Sequence, residues 1–350
     1  MHDTKTITEF MDSININTLV FDMGRRIIQL DHDYFIKFDK GNAGYIQPLQ
    51  REAWLGMLCH DNENPHIRFL WFIKFPLDEQ AKLNVLARDD FIHHLIKAGI
   101  EKGLQNNNEE DLDDAVKNNP YGFVPSEERM ACLHAKALLI NELEPSKYYQ
   151  HTKEYFSGKL GFDQWSFVGI QGIADLSARH KEQDNETLLV NAIPALPKQP
   201  LIALCKCLEN EPIGNSIAEV IGKRIREELA HPTNDTDFIS ACIRGLSYSQ
   251  ATELRQELLE EILSGEQSTN IEILAAVAGR CWEDLKDTQI NQMFIEALAS
   301  NSSGQSSFNH LVADLLFIPG MREYLLNALR NPERSNNLAR AMGDFFKSFS

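Results

Sequence analysis

Six amphipathic helix starts recur at a nearly fixed interval through the last two-thirds of the chain. They fall near Ser126, Asp163, Pro200, Asp235, Asn270 and Gln305, which lie 37, 37, 35, 35 and 35 residues apart. A second helical pattern follows each start, over 147–159, 186–195, 215–231, 250–263, 288–300 and 321–330. One of these carries Leu254, Leu258, Leu259, Ile262 and Leu263 on a single stripe. Ile217, Val220, Ile221 and Ile225 repeat it on the second helix before, and Ile290, Phe294, Ala297 and Leu298 on the one after. Such a stripe is too broad for one partner helix to cover, so the next pair must stack on it. A two-helix unit with a period in the thirties predicts an all-α, HEAT-like solenoid of about six helix pairs.

Helix punctuation fits that period. Asp163, Asp235 and Asp287 stand where N-caps belong, Ser247 with Gln250 reads as a capping box, and Gly265, Gly304 and Gly320 separate helices. A last helix over 335–349 carries Leu338, Met342, Phe345 and Phe349 on one stripe and would cap the array.

The first hundred residues follow a different rhythm. Branched residues in 18–22 and 26–30 predict two strands joined at Met23-Gly24, and 53–59 with 67–75 predict a second hairpin. A short helix over 31–38 and a long one from Asp78 to about Leu104 complete the pattern, the latter with Leu83, Leu86, Phe91, Leu95 and Ile100 on its apolar face. The organisation expected is an α+β N-terminal domain with a small antiparallel sheet over 1–104, an acidic linker over 105–124 and the α-solenoid over 125–350. The linker holds Glu109, Glu110, Asp111, Asp113 and Asp114 with little to bury.

Charge narrows the function. The chain has 34 Lys+Arg against 51 Asp+Glu, a formal net charge of -17, which opposes the many phosphate contacts of a nucleic-acid coat. The amino terminus has no secretory pattern, and no apolar run reaches the roughly 18 residues of a membrane span. Cys59, Cys132, Cys205, Cys207, Cys242 and Cys281 lack both the density of a disulfide scaffold and the spacing of structural zinc. A cytoplasmic, reduced protein is expected. No phosphate-cradling glycine motif, nucleophile elbow or metal-binding histidine pair appears, so no catalytic residue, cofactor or metal is expected.

The most singular segment is Phe21-Asp-Met-Gly-Arg-Arg26. With Gly24 as a hairpin turn, Arg25 and Arg26 emerge on opposite faces. They could clasp an acidic group on a partner, pair internally with Asp22 or Asp31, or be ordinary surface arginines. Trp71 and Phe72 alternate in the same way, which leaves one of them to be covered by a helix or partner.

These residues also carry a resemblance. Phe21–Arg26, Pro48-Leu-Gln50 with Trp54, Trp71–Gln80, Ala87–Phe91, Asn119-Pro-Tyr121, Tyr155–Gly158, Asp163-Gln-Trp165, Gly169–Asp175 and Pro200–Asn210 together resemble a gammaproteobacterial family of uncharacterised proteins, domain-of-unknown-function family 3549. The resemblance covers nearly the whole chain and weakens after Ile213. It implies a bacterial cytosolic protein and carries over no catalytic residues.

The expected function is that of a non-catalytic adaptor whose acidic solenoid surface, or N-terminal domain, binds a protein partner bearing a basic patch. Partner-binding residues would be Glu253, Glu257, Glu260 and Glu261 opposite the leucine stripe, Arg25 and Arg26, and the terminal Phe346 and Phe349. The alternative is an enzyme or small-ligand sensor with an anion site at the domain junction, using Arg25 or Arg26 with Tyr148 or Tyr149.

Overall fold

The computed structural model describes residues 6–61, 68–98, 119–182 and 184–348. The acidic run 109–114 and Phe349 lie outside them. The chain divides into two compact units, Met1–Ser126 with Phe317–Pro319, and Glu127–Leu316 with Gly320–Ser350.

An antiparallel four-stranded sheet of order β2-β1-β3-β4 organises the first unit. Its strands are β1 (Ile16–Asp22), β2 (Ile28–Gln29), β3 (Glu52–Asp61) and β4 (Arg68–Pro76). Side chains alternate across a strand, and Ala53, Leu55, Met57 and Cys59 of β3 share a buried core with Phe69, Trp71, Ile73 and Phe75 of β4. Helices α1 (Ile7–Ser13), α2 (His32–Asp39) and α3 (Val85–Ala98) contribute Phe10, Phe35, Phe38, Phe91 and Leu95 to it. Phe91 meets Trp71 and Phe75 edge-on, with ring centroids 6.4 and 5.4 Å apart.

The other sheet face is covered as well. Phe123 packs edge-on against Trp54 at 4.8 Å and Phe72 at 5.8 Å. Lys74 N donates to Tyr121 O at 2.8 Å, and Phe123 N to Phe72 O at 3.1 Å. Residues 119–123, assigned to the linker by their polar neighbours, therefore extend the edge of β4. The long helix also begins later than its pattern suggests. Asp78 Oδ1 accepts from Gln80 N and Lys82 N, both at 2.8 Å, which closes a turn. Asn84 Oδ1 then accepts from Leu86 N at 3.1 Å as α3 starts, and Leu86 is left exposed.

The second unit pairs α4 (Glu127–Ile140) with α5 (Tyr149–Phe156), α6 (Ile170–Ala178) with α7 (Asn185–Ala192), and α8 (Lys198–Leu208) with α9 (Asn215–Leu229). It continues with α10 (Thr236–Leu246) and α11 (Thr252–Ser264), α12 (Ile271–Arg280) and α13 (Thr288–Ala299), then α14 (Gln305–Phe317) and α15 (Arg322–Leu329). The first helices α4, α6, α8, α10 and α12 stack one on the next, and so do α5, α7, α9, α11, α13 and α15. This two-layer stack is the HEAT-like arrangement the period predicts. Helix α16 (Asn336–Lys347) packs on α13 and α15 and buries Leu338, Ala341 and Phe345.

The stripes face inward as required. Leu258, Leu259, Ile262 and Leu263 are buried, and each such side chain stabilises the stack by about 1.5–3 kcal/mol. Caps hold where a side chain reaches the first turn. Asp235 accepts from Phe238 N at 3.0 Å, Asn270 from Glu272 N at 2.9 Å, and Asp287 from Gln289 N at 2.8 Å. Two expected caps differ. Asp163 lies inside a 3-10 turn (Phe162–Phe167), and Ser247 ends α10 while Ala251 precedes α11.

Candidate functional site

The arginine pair expected at the surface of the β1–β2 connection is buried. Register pairs Phe21 with Gln29 and Asp22 with Ile28, so residues 23–27 form a loop longer than a two-residue turn. Gly24 is not in the left-handed region. Its lack of a side chain serves space instead, since a Cβ there would sit 3.1 Å from Asp22 Oδ1. Gly24 N donates to that oxygen at 2.6 Å, which folds the loop back on the sheet. Arg25 and Arg26 are buried as a result, and Arg25 Nε donates to Pro48 O at 2.8 Å. Tyr45 is buried close to Asp22, and burial together with that carboxylate pushes its phenol well above the ordinary range. Tyr34 is pushed up to about 12 by burial, with Asp22 adding to the effect. The motif is thus an internal polar cluster that fixes the sheet edge.

The acidic candidates on α11 are presented outward. Glu253, Glu257 and Glu261 are exposed and Glu260 is half-buried. Two of them are already engaged. Arg226 of α9 donates from Nε to Glu261 Oε1 at 3.0 Å and from Nη2 to the same oxygen at 2.7 Å, with Glu257 Oε2 at 3.6 Å. Two of the four carboxylates thus share one guanidinium. Among the described residues, Glu253 and Glu260 have no ion-pair partner. At the chain end Phe346 is exposed, while its neighbour Phe345 meets Phe308 edge-on at 6.3 Å.

The strongest electrostatic feature was not singled out in the sequence. Glu209, which ends α8, is buried, and three guanidiniums converge on it. Arg244 of α10 donates from Nε to Oε2 at 2.6 Å and from Nη2 to Oε1 at 3.1 Å. Arg280 of α12 brings Nε to 3.1 Å from Oε2, and Arg129 of α4 brings Nη1 to 3.5 Å from Oε1. Burial alone would raise this carboxyl, but Arg280, Arg244 and Arg129 together hold it at about 2. The signal was present in the spacing, because Glu209, Arg244 and Arg280 are one repeat apart. Close by, Glu211 pairs with Lys136 at 2.9 Å, yet burial keeps its carboxyl above the usual range.

All six cysteines and His180 are buried. Burial raises the Cys59 and Cys242 thiols, while a hydrogen bond with Cys132 and burial raise Cys207. Burial lowers His180, whose Nδ1 lies 2.9 Å from Ser177 O. Tyr149, a candidate anion contact, accepts from Asn185 Nδ2 at 2.8 Å. Among the described residues no group of His, Cys, Asp and Glu could hold a metal, and no helix is long and apolar enough to cross a membrane.

A family model described as a protein of unknown function (DUF3549) matches residues 2–346. No curated protein and no solved structure matches the chain.

Proposed function

The chain belongs to the DUF3549 family, and on that footing we propose that it is a non-catalytic, cytoplasmic adaptor that captures a basic protein partner on its helical unit. The observation that carries this reading is the outward row on α11, where Glu257 and Glu261 share Arg226 and Glu253 and Glu260 have no ion-pair partner among the described residues. A stacked helical layer presents such a row on a rigid backbone, so a basic surface can dock with little ordering cost. The net charge of -17 adds long-range attraction for a cationic partner. The Glu209 cluster supports a structural rather than a chemical role for the buried charges. A carboxylate held near 2 has no proton to give at neutral pH, and the anion its three arginines would attract is supplied by the chain itself.

The test is affinity purification of the full chain at low and moderate salt, followed by mass spectrometry and rebinding of the purified candidate. Retention should fall as salt rises. Replacing Glu253→Lys together with Glu260→Lys should weaken rebinding while leaving the Arg226 pairs in place. Rebinding that ignores both salt and those reversals would remove the acidic face from the reading.

A further inference from the structure

The first helices α4, α6 and α8 carry a feature unlike the acidic row. Between α5 and α6 the chain departs from the plain repeat. It passes through Gly158 and Gly161, both in the left-handed region at φ +76° and +80°, into the 3-10 turn Phe162–Phe167. Tyr155 of α5 fastens that turn. Its hydroxyl donates to Phe162 O at 3.0 Å, and its ring meets those of Phe162 and Trp165 with centroids 5.7 and 6.3 Å apart. A turn tied down by a buried tyrosine is a fixed wall and not a loose connection.

That wall bounds a groove of about 310 Å³, where Trp165 and Val168 stand with Ile170 of α6 and with Ile202 and Ala203 of α8. The size suits one long side chain and the main chain that carries it. Trp165, Ile170, Ile202 and Ala203 are only half-buried, and Phe167, next in sequence to Val168, is 71% exposed. Apolar surface held open on a rigid backbone marks a contact site.

The polar groups of the same groove select its occupant. Lys206 is the one cation of its lining, and Glu128 already pairs with it at 3.2 Å. Glu127 also lines the groove, is exposed and has no ion-pair partner among the described residues. One unbalanced negative charge therefore stands in a groove with an indole. The Trp165 Nε1–H is not buried and donates to no described residue, so it is open to an acceptor from outside. An arginine within a peptide answers all of these features. Its alkyl stem covers the apolar wall, its planar guanidinium stacks on an indole and forks onto a carboxylate, and a neighbouring carbonyl accepts the N–H. A small anion is repelled by Glu127, and a purely apolar segment leaves both polar groups unanswered.

We infer that this groove binds an arginine side chain displayed by a partner protein, with Glu127 as its counter-ion and Trp165 as its aromatic wall. The inference goes beyond the acidic row on α11 and does not rest on it, because the groove belongs to other helices and selects one side chain instead of a broad charge.

A library of fluorescein-labelled hexapeptides tests this, with one fixed position occupied by arginine, citrulline, lysine or norleucine. Each set is titrated with the full chain and read by fluorescence anisotropy. Arginine peptides should bind, and more weakly as salt rises. Their citrulline analogues, which keep the shape and lose the charge, should be about tenfold weaker or more. Lysine analogues should fall between, lacking the planar fork. Glu127→Gln should weaken the arginine peptides about as much as citrulline does, with little change in melting because the residue is exposed. Trp165→Phe should bind more weakly yet still prefer arginine to citrulline. Glu253→Lys with Glu260→Lys should leave affinity within about twofold at physiological salt, so either site can fail without the other. A library without binders, citrulline or lysine as tight as arginine, or indifference to Glu127→Gln would each overturn the assignment. So would loss of binding in Glu253→Lys with Glu260→Lys.

Discussion

Arg244 grips Glu209 with two nitrogens, at 2.6 and 3.1 Å, across 35 residues of sequence and the junction between two stacked helices. With Arg280 and Arg129 on the same carboxylate, removal of the charge leaves three guanidiniums facing a neutral group. Glu209→Gln should cost about 3–5 kcal/mol in urea denaturation, the range for breaking a buried ion pair from one side. The same pair fixes an acid dependence. An unfolded glutamate titrates near about 4.3, and the folded group near about 2. Its stabilisation is complete above the unfolded value and is lost as pH falls through the folded one. The stability gap between parent and variant should therefore narrow from about pH 5 down to pH 2.

Exposed pairs should behave differently. Arg226 and Glu261 meet at 2.7 Å, but both are roughly two-fifths exposed, at 43% and 41%. A double-mutant cycle on them should give a coupling of about 0.5 kcal/mol that vanishes in high salt.

Two glycines make an opposed pair. A Cβ on Gly172 would fall 2.1 Å from Thr152 Oγ1 and 2.8 Å from Tyr148 O, so α5 and α6 would have to part. Gly172→Ala should cost about 1–3 kcal/mol or more. Gly279 is in helix α12 with nothing within 4 Å of the added atom. Gly279→Ala should stabilise by about 0.5 kcal/mol, because it restricts the unfolded chain. Thermal melts of the two variants moving in the same direction would contradict this account.

The six cysteines are all buried. A thiol reagent such as an aromatic disulfide should label them at the rate of unfolding and not before, because burial blocks access and the raised Cys59, Cys207 and Cys242 thiols stay protonated in the native state. Rapid labelling of native Cys132, Cys205, Cys207, Cys242 or Cys281 would show that the first-helix layer opens locally.

What the sequence makes legible here is what is local or periodic. Asp235, Asn270 and Asp287 announce helix starts because a cap acts within one turn. The alternation in β3 and β4 reads directly because its period is two. Ser247 with Gln250 has the letters of a capping box but ends one helix instead of opening another, since tertiary packing sets where α11 begins. Leu86 matches the helical stripe and is exposed, because the turn at Asp78 shifts the phase of α3. Arg25 and Arg26 look like surface residues until the loop at Gly24 folds inward. Glu209 escapes notice for a similar reason: its partner Arg280 is 71 residues away, and only the stacked layers bring them together.

That long reach bears on how the helical unit comes apart. In a plain repeat array each module touches only its neighbours, so the ends can peel away while the middle stays folded. Here one carboxylate ties α4, α8, α10 and α12 at a single point. Loss of any one of those helices breaks at least one ion pair to the buried Glu209 carboxylate, so the four should melt more cooperatively than modules that touch only their neighbours.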